Sequence, residues 1–78
     1  MAEYMNAALK HLTIEQLPDG EGFFIATDVL PGVWGHGATI AEALADFSWG
    51  VEGWVALAFQ RGIEIPAIEG VRPTMQAA

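Results

Sequence analysis

Few residues of this chain could do chemistry. Glu15, Asp28 and Asp46 are the carboxylates that a Mg²⁺-dependent nuclease would use on a sheet-plus-helix scaffold, since a hard divalent cation gathers oxygen ligands from several elements. Their parity works against convergence. Glu15 falls on the strand face opposite Leu12 and Ile14, whereas Asp46 falls on the flank of a helix that packs on the apolar face. All three are read as solvated surface charge, and no metal site is expected.

His11 and His36 are the only imidazoles, and neither has metal-ligand spacing or stands beside a nucleophile with an orienting acid. Both are read as strand-surface histidines. Gly32, Gly35 and Gly37 are spaced G-x-x-G-x-G, the reverse of the dinucleotide fingerprint, and no Lys follows as a P-loop requires. They are read as turn glycines. The absence of Cys removes thiolate nucleophiles, Cys-based zinc sites and disulfides, and it fits a reduced cytoplasmic compartment. The expectation is a protein that is not an enzyme and carries no cofactor.

The elements that would position these residues must come from 78 amino acids, which allows one small domain. A chain of this size buries only roughly 60% of its unfolded surface, so association into a dimer or tetramer is expected to supplement the core. The charge is −7 from 10 acidic and 3 basic residues, and Lys10, Arg61 and Arg72 are too few to neutralise a run of phosphates. Direct nucleic-acid binding is disfavoured; the acidity points instead to solubility or to a basic partner. The longest apolar run, Trp54 to Phe59, is 6 residues, far short of the ~20 that a membrane span needs.

Helix formers from Ala2 to Leu9 place Tyr4, Met5, Ala8 and Leu9 on one side, predicting a short helix. Alternation from Lys10 to Leu17 predicts a strand, Pro18-Asp19-Gly20 a turn, and the aromatic run Gly22 to Asp28 a second strand. After the break at Leu30-Pro31-Gly32, Val33 to His36 reads as a third strand. Thr39 and Glu42 form a capping-box pattern, and Ile40, Leu44, Phe47, Val51, Trp54 and Ala58 follow at helical spacing up to Arg61 and Gly62. Such a helix is about 33 Å long, enough to cross a sheet of short strands. Ile63-Glu64-Ile65 reads as a final strand stopped by Pro66, and Ala67 to Ala78 as a loose tail. The fold class is α+β in two layers: a short N-terminal helix, then β-β-β-α-β, with an antiparallel-rich sheet covered by one long helix. The domain is expected to span residues 1–66.

Within the long helix Trp54 joins the core stripe, while Trp49 points about 200° away from Phe47. Around Trp49 stand Ala45, Gly53 and Ala56, small enough to admit a second backbone, with Glu52 beside them. Trp49, Ala45, Glu52, Gly53 and Ala56 are therefore the candidate interface, because Trp is enriched among interface anchors and Gly53 weakens the helix by roughly 0.5–1 kcal/mol relative to Ala.

At Leu30-Pro31-Gly32, Gly37-x-Thr39-x-x-Glu42-Ala43 and Gly62-Ile63-x-Ile65-Pro66, in that order, the chain resembles the HicB-like antitoxin domain of type II toxin–antitoxin systems. The resemblance runs from Tyr4 to about Val71, and the opening Tyr4 to Leu9 is similar to the short stand-alone members. It implies a partial ribonuclease-H-like sheet and helix without catalysis, which oligomerises and neutralises a small basic RNA-cleaving toxin, HicA. Departures are Asp28-Val29 before L-P-G, Gly50 and Gly53 in the long helix, and a stretch after Pro66 too short for the helix-turn-helix or ribbon-helix-helix element that many family members use to repress their operon. Two other readings compete: an orphan homo-oligomeric interaction domain with an unidentified partner, and a minimal metal-dependent nuclease built on the three carboxylates.

Overall fold

The computed structural model describes residues 2–30 and 32–72. Helix α1 (Ala2–Leu9) leads into strand β1 (Leu12–Gln16), a single turn of 3₁₀ helix at Pro18–Gly20, strand β2 (Phe23–Thr27), strand β3 (Trp34–Gly37) and helix α2 (Ile40–Arg61). The strands form one antiparallel sheet in the order β1-β2-β3. Ile14 pairs with Ile25, and Ile25 with Gly35. The α+β class expected from the sequence is therefore the one observed.

Both ends of α2 are written in the sequence. Thr39 Oγ1 accepts the Glu42 amide at 3.1 Å, while Glu42 Oε2 reaches back to the Ala38 amide at 3.0 Å. The Thr39 hydroxyl satisfies a donor that a helix start leaves unpaired, and Glu42 ties the residue before the cap to the first turn. At the other end Gly62 takes φ 65°, the Ile63 amide donates to Ala58 O at 2.9 Å, and the Gly62 amide to Phe59 O at 3.4 Å. That is a Schellman ending, which needs a residue without Cβ at the left-handed position.

Two expectations need correction. The buried stripe of α2 is Ala43, Phe47, Val51, Val55 and Ala58; Leu44 and Trp54 are half-buried, and Ile40 is 42% exposed. The rotation follows from the strand beneath. A Cβ on Gly35 would lie 2.4 Å from Ala43 O and 2.5 Å from Phe47 N, so the helix backbone rests directly on β3 with small Ala43 at the closest approach.

The final strand is the second correction: Ile63-Glu64-Ile65 pairs with no strand. The C-terminal end of the β3 edge is already occupied, because the outward amide of His36 is taken by Asp46 and that of Ala38, just past the strand, by Glu42. The segment instead inserts Ile65 and Ile68 into the core, and the Tyr4 hydroxyl donates to Pro66 O at 2.8 Å. Ile68 and Val71 bridge across a tight turn, so the packed unit runs past the expected boundary at Pro66. Residues 73–78 of the expected tail lie outside the described residues.

The core joins Tyr4, Ala7 and Ala8 of α1 to Ile25, Leu30, Val33, the α2 stripe, Ile65 and Ile68. Each fully buried large apolar side chain contributes about 1.5–3 kcal/mol relative to exposure, so Phe47, at the centre of the α2 stripe, is a principal tie between helix and sheet. The one buried polar residue described, Thr27, accepts the Val29 amide through Oγ1.

Candidate interaction surface

The candidate residues on α2 share its outer face. Trp49 is 75% exposed; Ala45, Glu52 and Gly53 are exposed and Ala56 is half-buried. Nothing lies within 4 Å of where a Gly53 Cβ would sit. A bulky ring therefore stands over a smooth strip of helix, on the side away from the sheet. Because α2 is anchored through Ala43, Phe47, Val51 and Val55, this outer face is held against the sheet by buried contacts.

A second apolar patch escaped the sequence reading. The rings of Phe24 and Trp34 stack on the outer face of the sheet, with centroids 5.8 Å apart and planes at 27°. Trp34 is 56% exposed. By register, Thr13, Ala26 and Trp34 form one row across this face and Glu15, Phe24 and His36 the next. The signal was present as alternation: Phe24 and Ala26 flank buried Ile25, and Trp34 lies between buried Val33 and Gly35. The run of apolar residues from Phe23 to Ala26 hid that period.

The carboxylates do not meet. Glu15 lies on the outer sheet face, Asp28 is exposed just after β2, and Asp46 Oδ2 accepts the His36 amide at 2.9 Å. Among the described residues no group of three or more His, Asp or Glu is placed to hold a metal ion. His36 Nε2 donates to Glu21 O at 2.9 Å, closing the β1–β2 loop against β3. His11 Nε2 is 3.2 Å from Glu69 Oε2 at the surface, beside an open groove lined by Glu3, Asn6, Ala7, Lys10, Glu69 and Val71. Gly35 and Gly37 serve the close approach of strand and helix. Burial pushes the Tyr4 phenol above its ordinary pKa, which keeps it neutral as the donor to Pro66 O.

A family model described as UPF0150-like matches residues 3–72. The chain belongs to the UPF0150-like family. Its UPF0150-like fold is similar to the crystal structure of TTHA0281 from Thermus thermophilus, with a TM-score of 0.83, 26% sequence identity, and coverage of 97% of this chain and 94% of that one. No curated protein matches the chain. No described helix of this UPF0150-like chain is long and apolar enough to cross a membrane.

Proposed function

We propose that this chain is a HicB-like antitoxin, a non-catalytic protein that binds a small basic RNA-cleaving toxin of the HicA type and covers its active surface. The observation that carries the binding role is Trp49, 75% exposed on a helix face beside Ala45, Gly53 and Ala56, in a chain with net charge −7. Large exposed aromatics on a rigid element are the anchors of protein interfaces. The toxin type rests on the resemblance of the three motifs, whose residues sit at the joints of this fold. Leu30 is in the core, Thr39 and Glu42 cap α2, Gly62 ends it, and Pro66 accepts from Tyr4.

In this reading the acidic exterior speeds encounter with a cationic toxin, and the Trp49 ring supplies desolvated contact once the complex forms. Glu52 meets a toxin cation at the rim. The test is co-expression with a small basic ribonuclease of the HicA type. Co-purification and relief of growth arrest support the antitoxin role; failure of both contradicts it and leaves a self-associating domain with another partner.

A further inference from the structure

The two edges of the sheet are treated differently. On β3 the His36 amide is turned outward to Asp46, so Gly35 and Gly37 are the residues bonded to β2. Ile25 therefore directs its amide toward β3, and Phe24 and Ala26 direct theirs toward Glu15 and Thr13 of β1. The Leu17 amide continues this parity by donating to Gly22 O at 2.8 Å. The amides and carbonyls of Leu12, Ile14 and Gln16 then point away from the sheet. Nothing described pairs with them: β1 is the terminal strand, and its residues Leu12 to Gln16 include no Pro, no Lys and no capping carboxylate partner. Helix α2 covers β3 and β2 but leaves the same side of β1 open, so Ile14 is 48% exposed. An unprotected edge strand is a template for another strand, and soluble proteins ordinarily blunt such edges as this one does at β3.

We infer that β1 is the homodimer seam, pairing antiparallel with β1 of a second copy about a two-fold axis at Ile14 and extending the sheet across both chains. The axis position follows from self-complementarity. Centred on Ile14, the pairing sets Leu12 opposite Gln16 of the second copy, so all outward amides and carbonyls of both strands are satisfied together. Centring on a neighbouring residue leaves one of the three unpaired or opposes it to Pro18. The same register sets Glu15 against Thr13 of the second copy, keeping the strand's single carboxylate away from its own image. It also carries Lys10 to the Pro18–Gly20 turn of the second copy, where Asp19 is exposed, a cation on an anion in a chain otherwise rich in like charge. A second copy is thus the occupant that this edge matches residue by residue.

The seam is independent of the antitoxin reading, because it is measured on the lone chain. The experiment combines light-scattering mass across a concentration series with amide hydrogen exchange of the wild-type protein and the Ile14→Lys variant. The expected result is twice the chain mass for wild type, slow exchange at Leu12, Ile14 and Gln16 comparable to Thr13 and Glu15, and a folded, single-chain Ile14→Lys by helical circular dichroism. Should Ile14→Lys fail to fold, the wild-type exchange pattern decides alone. A wild type that stays at the single-chain mass overturns the inference. So does a dimer whose Leu12, Ile14 and Gln16 amides exchange freely, which would move the contact to the Trp49 face.

Discussion

Asp46 Oδ2 accepts the backbone amide of His36 at 2.9 Å, joining the second turn of α2 to the outer edge of β3. One helical turn earlier, Glu42 does the same for Ala38 at 3.0 Å. Two carboxylates at i and i+4 thus answer two amides at alternate strand positions, matching the helical and strand periods along one seam. The pair caps amides at one edge of the sheet, whereas β1, the terminal strand at the other, carries outward amides with no described partner.

Asp46→Ala should lower stability by about 1 kcal/mol, since a hydrogen bond to a charged acceptor is lost and an edge amide is returned to water. Asp46→Asn, which keeps an acceptor oxygen, should lose less. Urea midpoints of the two variants check this order; an unchanged midpoint for Asp46→Ala would show that the carboxylate does not hold the strand.

Glycines in this chain should respond in opposite directions. Gly35→Ala places a methyl 2.4 Å from Ala43 O and should cost at least about 1–3 kcal/mol through overpacking. Gly53→Ala meets nothing within 4 Å on an exposed helix and should stabilise by about 0.5–1 kcal/mol. Thermal midpoints measure both. A neutral Gly35→Ala would mean that helix and strand are further apart than described.

These contrasts show what the sequence made legible and what it did not. The capping box at Thr39 and Glu42 and the stop at Gly62 were readable because cap chemistry is local. The facing of α2 was not. Ile40 and Leu44 are larger than Ala43, so periodicity alone favoured them, but contact with a glycine strand selects the smallest residue, and that strand is distant in sequence. Ile63 to Ile65 has a strand's composition, yet pairing depends on a free edge, and the one beside α2 is consumed by Asp46 and Glu42. Trp49 was readable as outward because its angle from Phe47 survives a modest rotation of the helix. The Phe24–Trp34 stack required cross-strand register, which one sequence does not print.

Tyr4→Phe removes the hydrogen bond to Pro66 O and should cost about 1 kcal/mol. Its pH dependence has a definite sign. Burial raises the folded phenol above the ordinary value of 10.0, so the native state keeps a proton that the unfolded chain releases. This contribution is full below the unfolded pKa and is lost as pH rises through the folded one. Urea unfolding at about pH 8 and about pH 11 should show a steeper alkaline loss for wild type than for Tyr4→Phe. Parallel losses would place Tyr4 in a wetter site.

Phe47→Ala should destabilise the fold by about 3–5 kcal/mol, because a fully buried ring between α2 and the sheet leaves a cavity. Trp54→Ala, at a half-buried position, should cost less. Chemical denaturation ranks the two; the reverse order would return Trp54 to the core stripe.

Under the proposed function, Trp49 on the outward face of α2 is the anchor that holds a basic partner to this acidic chain. Titrating a small basic HicA-type ribonuclease with wild type and Trp49→Glu, and following RNA cleavage in the same samples, tests this most directly. A stoichiometric complex that stops cleavage, weakens only in part with added salt, and loses at least about 2 kcal/mol, or roughly thirtyfold in affinity, on Trp49→Glu is the predicted result. Cleavage that continues at saturating wild-type protein, or a complex indifferent to Trp49→Glu, would contradict it.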